Sequence, residues 1–146
     1  MTIRPPALPR FVRRRRPWAG VLAACAAAAL ATAAHAGDPE AGARVFMKCR
    51  ACHQIGEGAK HTAGPQLNAL IGRKAGTVDG YRFSDAMKNS GLTWDEATLR
   101  DYLKAPRAKV PGTRMIFLGV TRESEMDNLL AYLRQFDADG KIRPAQ

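Results

Sequence analysis

The stretch Cys49-Arg50-Ala51-Cys52-His53-Gln54, CRACHQ, sets two thiols three positions apart with a histidine directly after the second. Three chemistries use such a cluster. Zinc takes four ligands, usually from two separated pairs. No second Cys-x-x-Cys exists, and the third cysteine, Cys25, lies in a leader-like segment. His61 is a spare ligand, but the neighbours Cys52 and His53 point in different directions. A thioredoxin-like redox pair needs a strand before it and a βαβ pattern around it, whereas the residues before Cys49 read as helical. The third use is covalent haem attachment, for which Cys-x-x-Cys-His is the signature. On a helix, positions i, i+3 and i+4 share one face. Cys49, Cys52 and His53 can then all face a flat macrocycle, two as thioethers and one as an imidazole on the iron. The plainer competitor is a buried free-thiol pair beside a core histidine.

Upstream, residues 1–16 carry six arginines and no acid, and residues 18–34 are apolar and alanine-rich. The run ends in Ala34-His35-Ala36, an A-x-A cleavage site, so residues 1–36 read as a cleaved secretory signal peptide. Seventeen weakly apolar residues fall short of the roughly 20 that a spanning helix needs. Leu22-Ala23-Ala24-Cys25 resembles a lipoprotein box, but the apolar run continues past Cys25, which favours simple cleavage over a lipid anchor. The expected location is the periplasm.

Processing changes the charge argument. The whole chain carries +10, a balance that suggests nucleic acid. Without the six leader arginines, 17 basic and 13 acidic residues remain, a net of +4. Residues 37–146 are then one domain with a thin core, which a covalently held apolar cofactor would supplement. In an oxidising compartment two thiols would otherwise tend toward a disulfide.

Asp38-Pro39-Glu40 opens a helix expected to run to about Cys49, with Asp as N-cap and Pro at the first position. Residues 54–80 are glycine-rich and aperiodic, an extended loop layer. Ser84 caps a short helix through Asn89, stopped by Gly91. Thr93-Trp94-Asp95-Glu96 reads as a capping box before Leu99, Tyr102 and Leu103 at helical spacing. Pro106 and Pro111 break the chain. Thr121 starts a last helix whose apolar stripe is Met126, Leu129, Leu130, Leu133 and Phe136. Nothing alternates as a strand, so the expectation is a small all-α domain.

His53 would fill one axial position. For the other, Met47 sits too near Cys49 to reach the opposite haem face, Met126 belongs to the apolar stripe, and Met87 lies in a short helix. His61 is the remaining nitrogen candidate. Met115 stands in VPGTRMIF, a loop begun by Pro-Gly that can wrap a macrocycle and deliver one sulfur. The expected metal ligands are therefore His53 and Met115.

CRACH is followed in order by GPQL, GRKAG, SDAMKNSGLTW, YLKAP, PGTRMIF and LLAYL. In these segments the sequence resembles a class I cytochrome c of the small bacterial type closest to mitochondrial cytochrome c. The resemblance implies an all-α class I cytochrome c fold in which the first and last helices cross around one covalently bound haem c. Gly42 and Phe46 would meet Leu129 and Tyr132 at that crossing. It also implies that the Pro65 carbonyl accepts the outer N–H of His53, that Arg73 and Trp94 meet haem propionates, and that Tyr102 lies near the Met115 sulfur. Two positions depart from the family. Phe83 replaces a usual tyrosine and Met87 a usual asparagine, and both make the haem floor more apolar.

A His/Met pair closes the iron's coordination and suits single-electron transfer, with neutral thioether sulfur favouring the ferrous state. The resulting expectation is a monomeric, non-enzymatic carrier that does not bind nucleic acid. Its donor would be a membrane quinol-oxidising cytochrome complex, and its acceptor a terminal oxidase or a photosynthetic reaction centre with an acidic docking face. The alternatives are a dedicated acceptor for one periplasmic dehydrogenase, a haem peroxidase or sensor with an open sixth position, and a structural metal module. By the resemblance, the haem edge lies near Phe117, ringed by Arg44, Lys48, Arg107, Arg114 and Arg122.

Overall fold

A computed structural model describes residues 37–143. The leader expected over residues 1–36, Cys25 included, lies outside the described residues. At Asp38 the backbone is extended (φ −80°, ψ 115°), and the carboxylate accepts the Glu40 N–H at 2.9 Å. With Pro39 in the first turn, where its missing N–H costs nothing, this starts α1 (Pro39–Phe46) where the sequence predicts. The helix ends earlier than expected. From Met47 to Cys49 the amides bond three residues back, Cys49 N–H to Phe46 O at 2.8 Å among them. Such 3₁₀-type bonds tighten the last turn. CRACH itself is a run of turns in which Cys52 and His53 both donate to the Cys49 carbonyl, at 3.0 and 2.9 Å. Cys49, Cys52 and His53 therefore share one local turn beyond the end of α1.

After the loop layer come α2 (Asp85–Lys88), α3 (Glu96–Lys104), α4 (Pro106–Lys109) and α5 (Glu123–Arg134). Among the described residues there is no strand, only the isolated bridges Lys74–Thr93 and Phe136–Ile142. The Ser84 side chain accepts from Met87 N–H, as a cap of α2 should. The cap of α3 is Asp95, not Thr93: its carboxylate accepts Thr98 N–H at 2.7 Å, while Thr93 is held extended in its bridge with Lys74. Pro106 opens the short α4 rather than merely breaking the chain. The last helix starts at Glu123, two residues beyond Thr121, with Arg122 in the cap position and no capping side chain.

The core lies where α1 crosses α5. Met126 and Leu129 are fully buried on α5, each contributing about 1.5–3 kcal/mol by removal from water. The Phe46 ring packs on Tyr132 with centroids 5.3 Å apart. At Gly42 the backbones come so close that an added Cβ would overlap the Asn128 carbonyl oxygen. Asp38 N–H donates to Asn128 Oδ1 at 2.7 Å and pins the start of α1 to the same place. Ion pairs join α3 to α5: Arg100 to Glu123 (2.9 Å) and Asp127 (2.6 Å), and Lys104 to Glu123 (2.6 Å). Exposed pairs contribute little to stability, so these set the register of the two helices more than they hold them together.

The segment after Pro111 has no regular secondary structure and returns to α3 at Gly119, whose φ of +105° and close approach to the Lys104 carbonyl exclude a side chain. Val120 N–H then bonds Leu103 O at 2.9 Å. Residues 111–120 thus form a strap anchored at both ends.

Gly42 has no positive φ, so replacing it tests packing alone. Gly42→Ala should destabilise the haem-loaded protein by about 1–3 kcal/mol, the usual cost of overpacking. Denaturant unfolding would measure it, and an unchanged midpoint would contradict the close crossing.

Candidate cofactor site

A cavity of about 330 Å³ opens between the CRACH turn, the loop layer, α3 and the 111–120 strap. Its wall includes all eight residues singled out from the sequence: Cys49, Cys52, His53, Pro65, Arg73, Trp94, Tyr102 and Met115. Sequence positions up to 66 apart thus converge on one space.

His53 is half-buried, and its Nδ1 lies 2.7 Å from the Pro65 carbonyl oxygen. A carbonyl only accepts, so Nδ1 carries the proton and Nε2 keeps its lone pair. Burial holds this imidazole below its ordinary pKa; the Pro65 bond opposes that and Arg73 adds to it. The ring has room because residue 64 is glycine: a Cβ there would overlap the imidazole. Among the described residues neither cysteine forms a disulfide; Cys52 is exposed, and burial would push Cys49, as a thiol, up to about 11. His61 is occupied elsewhere. Its Nδ1 accepts Gln66 N–H at 3.1 Å and its Nε2 donates to Asp79 O at 2.9 Å.

Arg73 lines the cavity and spends two of its five N–H groups on the carbonyls of Asn68 (2.9 Å) and Gln66 (3.3 Å). Burial lowers its pKa. Trp94 is buried against Tyr102, ring centroids 4.9 Å apart. The Tyr102 hydroxyl meets Thr113 Oγ1 at 3.1 Å, and the same oxygen accepts the Met115 N–H at 3.3 Å. Tyr102 is therefore linked to the Met115 backbone through Thr113, a residue that sequence reasoning passed over. Burial raises the Tyr102 pKa, against the effect of its Thr113 bond. Phe83 and the buried Met87 line the cavity as apolar surface.

The residues fit a haem. Two thiols, a neutral imidazole and a thioether are soft or intermediate donors suited to haem attachment and iron ligation. A glycine leaves room for the ring of one donor, and apolar side chains cover the floor. Sequence reasoning also missed the exposed apolar pair Ile116 and Leu118, 86% and 101% exposed, of which Ile116 lines the cavity. They alternate with Met115 and Phe117, which turn inward to the core. A period of two in this short stretch was the available signal.

Residues 39–137 match the family model described as Cytochrome c. The chain is 60% identical over 105 residues to cytochrome c2 of Rhodoblastus acidophilus, covering 72% of this chain and 98% of that one. It is 56% identical over 107 residues to cytochrome c-550 of Nitrobacter winogradskyi, covering 73% and 98%. Among solved structures, cytochrome cH from Methylobacterium extorquens aligns with a TM-score of 0.63 and 46% identity, over 67% of this chain and 98% of that one.

Thr113→Val keeps the shape of the side chain but leaves the Tyr102 hydroxyl and the Met115 N–H without their shared partner. It should cost about 1–2 kcal/mol in denaturant unfolding. Thr121→Val, at an exposed position, should stay within about 0.5 kcal/mol. Equal effects would remove the proposed role of the Thr113 hydroxyl.

Proposed function

Because this chain belongs to the cytochrome c family, we propose that it carries single electrons through one haem c held as thioethers at Cys49 and Cys52, with His53 and Met115 on the iron. Family membership makes it a c-type cytochrome and an electron carrier rather than an enzyme. The observation that supports the ligand set is the convergence of Cys49, Cys52, His53 and Met115 on one cavity wall, with only Nε2 of His53 left free. When bound, the haem supplies the one-electron couple, and a His/Met pair leaves its iron no open position.

The chain's own residues do the rest. Pro65 orients the imidazole and raises its basicity. Arg73 and Trp94 hold the propionates in this reading. Thr113, bonded to Tyr102, fixes the backbone that carries Met115. Phe83 and Met87 keep water from the floor of the cavity. A dry, rigid site suits electron transfer because little rearranges with each change of charge.

We place the protein in the periplasm as a monomer, after removal of residues 1–36. No helix among the described residues is long and apolar enough to cross a membrane. Its donor in this account is a membrane quinol-oxidising complex and its acceptor a terminal oxidase or a photosynthetic reaction centre. Partners meet the cavity mouth, where Lys48, Arg114 and Phe117 line the opening. The five cations proposed to ring the haem edge differ in their pairing. Lys48 and Arg122 both pair with Glu125, so of these five cations Arg44, Arg107 and Arg114 are the ones with no acidic partner among the described residues.

Two experiments test this reading. Oxidised protein should display the weak far-red band of sulfur on ferric iron, and Met115→Ala should abolish it and lower the potential; retention of the band would exclude Met115. Arg107→Glu should slow electron transfer with an acidic partner at low ionic strength and leave the potential nearly unchanged. Arg143→Glu, in the C-terminal tail, should do much less. Equal effects, or rates indifferent to salt, would exclude this docking face.

A further inference from the structure

Glu125 stands in the first turn of α5, and each of its carboxylate oxygens has its own cation. Oε2 lies 2.6 Å from Lys48 Nζ, and Oε1 lies 3.2 Å from Arg122 Nη2. The Glu125 side chain is 23% exposed, while Lys48 and Arg122 stay 49% and 79% exposed. The acid is thus sheltered beneath two cations that still face solvent. Lys48 lines the cavity mouth beside Cys49, and Arg122 marks the start of α5. The other cations of the proposed docking face are in a different condition. Arg107 has no acidic partner among the described residues, and the Arg114 guanidinium donates only to the Arg82 backbone carbonyl, at 3.3 Å.

We propose that Glu125 acts as an internal competitor for the acidic groups of a redox partner, holding Lys48 and Arg122 until a partner carboxylate replaces it, and so limiting how strongly charge draws that partner in. The proposal rests on the docking face described above and adds a residue that sets its strength. The physical reason is cancellation. A carboxylate within hydrogen-bond distance of two cations removes much of their field at the distances where encounter is steered, whereas Arg107 and Arg114 keep theirs. An arriving carboxylate gains Lys48 or Arg122 only by displacing Glu125, an exchange of one ion pair for another with little net gain. The hydrogen bond from Lys48 and both positive charges hold the Glu125 carboxyl below its ordinary pKa, so the competitor stays ionised at neutral pH.

A purely structural role is the rival account, because the Lys48–Glu125 pair also ties the segment before Cys49 to α5. Stability and association separate the two. The test uses the haem-loaded protein in three forms besides wild type: Glu125→Gln, Asp139→Asn and Arg107→Glu. Asp139 is exposed and without an ion pair among the described residues, so its variant makes the same change in net charge elsewhere. Oxidation by the trianion hexacyanoferrate(III) is followed by stopped flow across ionic strength. Binding of the redox-inert trianion hexacyanocobaltate(III) is followed by amide chemical shifts.

At low ionic strength Glu125→Gln should raise the second-order rate about threefold, with Asp139→Asn raising it by much less. The advantage should vanish at high salt, the midpoint potential should hardly move, and shifts on anion binding should grow around Lys48 and Arg122. Equal acceleration by Glu125→Gln and Asp139→Asn would reduce the effect to net charge and overturn the proposal, leaving the docking face standing on the Arg107→Glu result. Loss of thermal stability in Glu125→Gln with no faster rate would make Glu125 a structural staple only. If Arg107→Glu leaves the rate unchanged, the docking face itself fails and the proposal falls with it.

Discussion

The distance between α1 and α5 at Gly42 governs everything downstream of it. The chain passes from α1 through one tight turn into Cys49, so the orientation of α1 on α5 fixes where both thiols and His53 begin. A side chain at residue 42 would push the helices apart. The Asp38–Asn128 bond, the Phe46–Tyr132 contact and the buried Met126 and Leu129 all depend on the same approach. One glycine thereby connects a packing constraint to the geometry of a redox site.

The opposite wall is set differently. Met115 comes from a strap with almost no backbone hydrogen bonds of its own, held at its ends by Pro111-Gly112 and by Gly119 against Lys104. Between those ends, Thr113 is the internal fixing point. The cavity floor needs no polar network of this kind, since Phe83 and Met87 contribute no groups that demand hydrogen bonds. Among the described residues no buried side-chain nitrogen or oxygen lacks a partner. Removing both members of a polar pair together is the inexpensive way to dry a cavity.

Local chemistry made much of this legible in the sequence. Asp38 and Ser84 are caps with few alternatives, CRACH has one chemistry that uses all three side chains, and the stripe on α5 is long enough to read. Where two residues could do the same local job, tertiary structure chose between them. Thr93 and Asp95 can each cap α3, and the bridge to Lys74 removes Thr93 from the contest. α4 is too short for periodicity to reveal. The pairing of Glu125 with Lys48 joins residues 77 apart, which no local pattern encodes. For the same reason the sequence suggested a ring of five cations, while in the folded chain two of them share the one carboxylate of Glu125.

The central claim is that His53 and Met115 are the two axial ligands of a single haem. The most direct measurement is the proton–carbon NMR spectrum of the reduced, haem-loaded protein with labelled methionine methyl groups. The account predicts that one methyl resonance, assigned to Met115 by its loss in Met115→Leu, lies far upfield because it sits over the haem ring. The methyl of Met87 should keep a shift nearer that of an ordinary buried methionine. An upfield resonance assigned to Met87, or none at all, would contradict the account.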